Sequence, residues 1–229
     1  MHETNGYEVK EVSIVNLIDV MGCDEDICDA ARVSFDKCAD NYSDEKNERL
    51  INYLANHDHW TPFAHVMMKF RFRAPIFIAR QFVKHQVGFV WNEVSRRYVD
   101  TDPWFFVPNK WRKRPDNIKQ GSVAEGAIDV IGTDLEKKYM YKMREHAKDY
   151  KDLRMSGVCP EQARMILPQN MMTEWIWTGS LMAWVRFVKL RGDDHAQAEC
   201  WPYAEQIEYA IMKAFPKSYR AFFGERNDY

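Results

Sequence analysis

Apolar and polar side chains alternate between residues 66 and 72, and this period predicts a half-buried strand. Lys69 and Arg71 would then point to solvent. The inward side chains would be Met68, Phe70 and Phe72. Residues 92–99 and 172–177 are also predicted to be extended.

Helical periodicity separates these strands. Residues 43–55 combine acids in the first turn with an apolar stripe, which predicts a helix. Residues 134–155 predict a long charged helix that Gly157 closes, and residues 180–190 predict an apolar helix. Helices interspersed with strands indicate an α+β domain, and the pattern leaves open whether the strands run parallel or antiparallel.

Prolines mark three further helix positions. Pro75 suits the first position of a helix that runs to about His85. The inner face of that helix would carry Ile76, Ala79 and Val83. Pro160 is expected to begin a short helix, and Pro202 would kink or interrupt the last helix of the chain.

Composition restricts the class of protein. The 229 residues carry a formal net charge of −2, which argues against a generally basic nucleic-acid binder. No apolar run approaches the ~20 residues that a membrane span requires, and the N-terminus lacks a signal-peptide pattern. The five cysteines contain no Cys-x-x-Cys pair, so we expect reduced thiols in a cytoplasmic protein, with Cys159 and Cys200 in the core.

The net charge conceals a basic segment at residues 66–98. Seven lysines and arginines against one glutamate give this segment a charge of +6, so the rest of the chain carries −8. A basic block inside an acidic protein suggests a bound anion, although a solvated charged face would have the same composition.

The basic segment contains two groups of candidate ligand-binding residues. Gln81, Lys84 and His85 are spaced to share one face of the helix that follows Pro75. If residues 92–99 are extended, one strand face would carry a carboxylate, a hydroxyl and a guanidinium at steps of ~7 Å. These groups belong to Glu93, Ser95 and Arg97. Guanidinium and hydroxyl groups suit a phosphate, and a carboxylate suits sugar hydroxyls or a ring N–H, so the set can bind a nucleotide.

The histidines also have simpler interpretations. His85 would be an ordinary surface histidine of its helix if no ligand binds there. His57, His59 and His65 could suggest a metal, but Pro62 breaks the helix that an HExxH-type site requires. We therefore expect no metal.

The triplet Lys84-His85-Gln86, followed by Ser95, resembles the signature of the flavin-dependent thymidylate synthases. In that signature, Arg-His-Arg is followed by seven residues of any kind and then by Ser. The other blocks that agree with this family, in order, are residues 31–35, 59–65, 74–81, 163–168 and 190–197. The departures are Lys84, Gln86, a spacing of eight residues before Ser95, and Ala64 where many members have glutamate. Lysine loses the bidentate fork of arginine and glutamine loses the charge, so these departures indicate a variant branch.

The resemblance implies a single domain over residues 1–229, with a mainly antiparallel sheet flanked by helices. It also implies a reaction in which dTMP is formed from dUMP, with 5,10-methylenetetrahydrofolate as carbon donor, FAD as redox carrier and NADPH as reductant. Members of the family are homotetramers whose sites lie between subunits. A homotetramer without membrane or nucleic-acid partners is therefore expected.

By position in the family motifs, the resemblance assigns the residues of each site. The dUMP set is Gln81, Lys84, Glu93, Ser95, Arg97, Arg164 and Arg191, with Arg164 reaching in from a neighbouring subunit. The FAD set is Ser34, Thr61, Lys84, His85, Gln86 and His195. The catalytic set is Arg191, Ser95 and His59, and both His59 and Tyr98 would lie near the flavin or folate. The sequence places no general base beside Ser95, which favours a binding role for its hydroxyl.

Two other hypotheses are compatible with the sequence. The chain could be a nucleotide-binding or single-stranded nucleic-acid-binding protein of the same fold without catalytic activity, although the overall acidity weighs against nucleic acid. It could also be a relative that has lost activity through Lys84, Gln86 and the extra residue of the motif.

Overall fold

The computed structural model of the chain describes residues 8–10, 14–114, 127–128, 130 and 132–224. The strands are β1 (Glu8–Lys10), β2 (Ile14–Met21), β3 (Met67–Pro75), β4 (Phe89–Glu93), β5 (Phe105–Val107), β6 (Trp111–Arg112), β7 (Ala127–Ile128) and β8 (Met172–Ser180). The central sheet has four strands in the order β2-β3-β8-β4, and all of its neighbouring pairs are antiparallel. Two small ribbons lie outside it, with β1 parallel to β5 and β6 antiparallel to β7.

Eight α-helices of the described residues accompany the central sheet. They are α1 (Asp24–Arg32), α2 (Asp44–Asn56), α3 (Ile76–Phe82), α4 (Asp134–Met155), α5 (Pro160–Ala163), α6 (Leu181–Arg191), α7 (Trp201–Ala214) and α8 (Pro216–Phe223). The helices predicted over residues 43–55, 134–155 and 180–190 are therefore α2, α4 and α6. The α+β fold with a mainly antiparallel sheet flanked by helices is confirmed.

One face of the sheet is packed with aromatic rings. The ring of Phe72 on β3 stacks on Trp175 of β8, with centroids 5.0 Å apart and an angle of 7° between the planes. Trp184 of α6 lies nearly parallel to Phe72, with 6.1 Å between their centroids, and its Nε1 donates to the carbonyl oxygen of Met68 at 3.1 Å. Because these rings are fully buried, they join β3, β8 and α6 into one core.

The opposite face of β3 carries charge, as the alternation predicts. Arg71 and Arg73 both bind the carboxylate of Glu174 on β8, at 2.8 and 2.9 Å. Lys69 lies 3.7 Å from Asp19 on β2. The side chains of Arg71 and Arg73 are more than half exposed, so this part of the basic segment is a solvated sheet face.

The sheet is tightest where β4 meets β8. Gly179 has the ring of Phe89 directly over its Cα, and a Cβ at this position would lie 2.3 Å from two carbons of that ring. The same Cβ would lie 3.2 Å from the indole nitrogen of Trp184. Only glycine allows the β4 strand to pack its phenylalanine onto β8 here.

The helix after Pro75 differs from the prediction. Pro75 is the last residue of β3 and precedes α3, which ends at Phe82 rather than near His85. Val83, predicted on the inner face, lies beyond this end and is 36% exposed. The buried side chains of α3 are Ile78, Ala79 and Phe82. Because the helix ends early, its buried face contains Phe82 in place of the predicted Val83.

Two further predictions need correction. Pro202 does not kink the last helix, because it is the second residue of α7, where its missing N–H is not required. The chain then turns at Phe215 and begins α8 with a second proline, Pro216. Cys159, expected in the core, is exposed before α5, whereas Cys200 is buried as predicted. In the described part of the chain, no helix is long and apolar enough to cross a bilayer.

Replacing Phe72 by alanine should lower the free energy of unfolding by about 3–5 kcal/mol, because the change empties the centre of the aromatic core. The matched control is Phe35→Ala, since Phe35 is 73% exposed and should change stability by less than about 0.5 kcal/mol. Denaturant unfolding of both variants measures the difference. Equal losses for the two variants would contradict the assignment of Phe72 to the core.

Candidate active site

Three predicted ligand-binding residues meet where α3 and α6 end. Arg191, the last residue of α6, donates from Nε to Nε2 of His85 at 2.9 Å. Its Nη2 donates to the backbone carbonyl of Gln81, in the last turn of α3, at 3.2 Å. Gln81 and His85 thus share one cationic partner, even though His85 lies in the turn after α3 and not on its helical face.

His85 is held as a neutral acceptor. Burial, together with the adjacent Arg191 guanidinium, lowers the pKa of His85 from 6.5 to about 4. A neutral imidazole that accepts at Nε2 carries its proton on Nδ1. The edge of its ring also packs against Phe187, with 5.0 Å between centroids, which fixes its orientation from the α6 side.

Gln81 belongs to a further network that the sequence did not reveal. Its Nε2 donates to Oε1 of Gln197 at 2.6 Å, and its Oε1 lies 3.7 Å from the Sγ of Cys200. Gln197 donates in turn to Glu199, whose carboxylate binds Arg112 of β6. The available signal was the block at residues 190–197, which contains Gln197 without indicating its partner.

The extended stretch predicted over residues 92–99 is wrong beyond its beginning. Strand β4 ends at Glu93, and the chain turns at Ser95, whose carbonyl accepts from the backbone N–H groups of Tyr98 and Val99 at 3.0 Å. Glu93, Ser95 and Arg97 therefore do not share one strand face. The backbone N–H of Val94 still donates to the carbonyl oxygen of Glu174 on β8 at 2.9 Å, and the register of β4 with β8 ends at Glu93.

The predicted residues between 93 and 98 make separate contacts. Glu93 accepts a hydrogen bond from the hydroxyl of Thr173 at 2.7 Å. The Ser95 hydroxyl accepts from the backbone N–H of Arg97 at 3.3 Å, which tightens the turn. Tyr98 is 76% exposed and lies against the Arg97 guanidinium, which is 5.2 Å from the centre of its ring.

Arg97 and Arg164 come together at the start of α5. The Nε of Arg97 lies 3.8 Å from a carboxylate oxygen of Glu161, and the Nε of Arg164 donates to the backbone carbonyl of the same residue at 3.3 Å. Both arginines are exposed. Arg97 contacts the carboxylate of Glu161 and Arg164 contacts only its backbone carbonyl, so one carboxylate offsets two cations at this position.

The remaining predicted residues are polar side chains at the surface. Those described as exposed are Ser34, His59, Thr61, Lys84, Gln86 and His195. His195 lies in the loop between α6 and α7, and its backbone N–H and Nδ1 both approach Asp193 Oδ1 at 2.8 Å. His59 packs its ring edge against Tyr53, whose ring stacks on His57. Across the described residues, no three histidine, cysteine or acidic side chains converge as a metal site would require.

Comparison with known proteins gives the family. The model of the thymidylate synthase complementing protein family matches residues 16–217. The flavin-dependent thymidylate synthase of Thermosipho africanus is 35% identical over 223 residues, which cover 94% of this chain and 93% of that protein. The protein of the same name from Thermus thermophilus is 36% identical over 218 residues and is matched over 77% of its length.

A solved structure agrees with these relatives. The UMP/dUMP methylase PolB from Streptomyces cacaoi, bound with 5-Br dUMP, superposes with a TM-score of 0.80 at 28% identity. The match covers 94% of this chain and 96% of PolB. The resemblance found in the sequence is therefore confirmed, and this chain belongs to the thymidylate synthase complementing protein family, the flavin-dependent thymidylate synthases.

Proposed function

We propose that this chain forms dTMP from dUMP by FAD-dependent reductive methylation, with 5,10-methylenetetrahydrofolate as carbon donor and NADPH as reductant. The observation that carries the proposal is the junction of Gln81, His85 and Arg191 in a chain that belongs to this family. The whole chain would act as one domain in a cytoplasmic enzyme.

The nucleotide phosphate would bind at Arg97 of one subunit and at Arg164 of a neighbouring subunit. The ion pair of Arg97 with Glu161 is long and exposed, so it contributes at most about 1 kcal/mol and can be exchanged for a phosphate. Two guanidiniums can then form charge-assisted, bidentate bonds to the phosphate oxygens. Lys84 is exposed and adds a point charge near His85.

The pyrimidine ring would bind at Gln81 and Arg191. Arg191 is anchored by two of its five N–H groups, which orients the guanidinium before a ligand arrives. A guanidinium facing a ring carbonyl stabilises negative charge that develops on the ring when the ring is attacked. Glu93 and Ser95 would bind the sugar and the phosphate, and Ser95 would not act as nucleophile.

The exposed polar residues of the predicted FAD set would bind the flavin dinucleotide. Hydroxyls at Ser34 and Thr61, an amide at Gln86 and a cation at Lys84 supply the donors that a diphosphate and the polar edge of an isoalloxazine require. His85, His195 and, near the folate, His59 complete the proposed set. Bound FAD would supply the redox chemistry, and the side chains would orient the flat ligands against each other.

Sites shared between subunits would explain the exposed position of Arg164. The edge strand β2 presents Leu17, Ile18 and Met21, each between 44% and 56% exposed. An apolar edge strand of this kind is a surface that another subunit can cover. We propose a homotetramer in which Arg164 reaches the site of a neighbouring subunit.

The purified chain should take up FAD and turn yellow. With methylenetetrahydrofolate it should oxidise NADPH and release tritium from ring-labelled dUMP, and its gene should complement a thymidine-requiring strain. A colourless preparation that neither takes up FAD nor binds dUMP would contradict the proposed function. Binding to single strands with a steep salt dependence, together with no turnover, would instead support the non-catalytic alternative.

The Arg97→Ala variant should bind dUMP more weakly by about 1.5–3 kcal/mol, because a charged hydrogen bond to the phosphate is lost. The control is Arg71→Ala, since Arg71 pairs with Glu174 on the solvated sheet face. Calorimetric titration of the FAD-loaded protein with dUMP measures both. If Arg97→Ala bound dUMP with unchanged affinity, the assignment of Arg97 to the phosphate site would be wrong.

Titration of His85 tests whether its imidazole is neutral at ordinary pH. Because the folded pKa of His85 is about 4 against 6.5 ordinarily, the unfolded chain binds the proton more readily between these values. His85 therefore leaves the free energy of unfolding unchanged above about pH 6.5 and lowers it as the pH falls towards 4. NMR titration should show His85 protonating near pH 4, and Arg191→Met should raise this pKa. A midpoint near 6.5 in the unsubstituted protein would disprove the assignment.

A further inference from the structure

A row of four side chains joins β6 to the end of α3. Nη2 of Arg112 lies 2.6 Å from both carboxylate oxygens of Glu199. Glu199 accepts from Nε2 of Gln197 at 2.8 Å, and Gln197 accepts at Oε1 from Nε2 of Gln81 at 2.6 Å. The side chains of Arg112 and Glu199 are only 21% and 16% exposed, so the ion pair that begins the row is mostly shielded from water.

The hydrogen bonds along this row can run in one direction only, because its first members are a pure donor and a pure acceptor. Burial by itself would raise the pKa of Glu199, but the hydrogen bonds from Arg112 and Gln197 hold it below its ordinary value, so the group is a carboxylate. A carboxylate only accepts hydrogen bonds. Gln197 must therefore turn its NH2 group to Glu199 and its carbonyl oxygen to Gln81.

The same reasoning fixes the amide of Gln81. Its NH2 group must face the carbonyl oxygen of Gln197, which directs its own Oε1 to the side of Cys200. Burial raises the pKa of the Cys200 thiol to about 11, so this neighbour is an S–H donor. Gln81 consequently offers an acceptor and not a donor on that side. Without Glu199, both amides could turn over and keep their mutual hydrogen bond, and Gln81 would lose only its long contacts to the Cys200 thiol, at 3.7 Å, and to the Phe77 carbonyl oxygen, at 3.5 Å.

We propose that Glu199 and Gln197 are positioning residues that select the base of the nucleotide by holding Oε1 of Gln81 as an acceptor. Uracil carries an N3–H donor between two carbonyl oxygens, whereas cytosine has an unprotonated N3 and an amino group. Arg191 contacts the backbone carbonyl of Gln81. An acceptor on the Gln81 side chain, together with the N–H donors of Arg191, would match the uracil edge and oppose N3 of cytosine. This inference rests on the proposed function, which places the pyrimidine at Gln81 and Arg191.

The test is the preference of the FAD-loaded protein for dUMP over dCMP, measured as the ratio of their dissociation constants by calorimetric titration. The unsubstituted protein should prefer dUMP. In Glu199→Gln, which keeps the shape of the side chain but gains a donor, we expect the preference to fall by about 3- to 10-fold, the value of one hydrogen bond. The fall should come from weaker dUMP binding.

The matched control is Glu48→Gln. Glu48 of α2 forms a similar close pair with Arg220 of α8, at 2.6 Å, but has no connection to Gln81. Its substitution removes an ion pair of the same kind and should leave the preference unchanged. If Glu48→Gln lowered the preference for dUMP as much as Glu199→Gln does, the effect would come from losing any ion pair. That result would overturn the positioning role.

A second variant interrupts the row at its middle. Gln197→Met keeps the length of the side chain and removes both hydrogen bonds, and should lower the preference as Glu199→Gln does. Because the two residues act through the same amide, the double variant should lose no more than either single one. If neither variant changes the preference while dUMP still binds, this inference fails and the proposed function stands. If the unsubstituted protein binds neither nucleotide, both fail.

Discussion

The stacked rings of Phe72 and Trp175, with Trp184 beside them, hold β3, β8 and α6 at fixed distances from each other. Phe82, the last residue of α3, packs into the same cluster, with its ring 6.3 Å from Phe72. Helix α3 carries Gln81 in its last turn and leads to His85, and α6 ends at Arg191. Both halves of the candidate site are therefore attached to one aromatic core, and a disturbance of that core would change the distance between them.

The site combines this rigidity with an uncompensated positive charge. The partner of Arg191 is a neutral histidine and a backbone carbonyl, so neither contact cancels the charge of the guanidinium. Arg112 is different, because Glu199 pairs with it closely in a shielded position. The arginines near the site accordingly divide into those whose charge is neutralised within the protein and those whose charge is available to an anionic ligand.

Much of the framework follows from local sequence. Alternation identifies the strand that begins at residue 67, and the 3.6-residue period with its caps identifies α2, α4 and α6. The matching blocks identify the family, because they sample most of the chain in register. Local pattern fails where an element ends for tertiary reasons. Strand β4 stops at Glu93 although the residues that follow remain compatible with an extended chain, and α3 stops at Phe82 although its period continues.

The sequence by itself determined the class of fold, the family and the types of side chain at the site. Those properties depend on residue order over short distances, where period and motif are direct signals. Only the tertiary structure decided which of these side chains meet. Gln81 and Gln197 are 116 positions apart, and Arg112 and Glu199 are 87 apart. Single polar side chains at the ends of helices and strands have no period of their own, so their partners are fixed by how the helices pack on the sheet and not by any pattern along the chain.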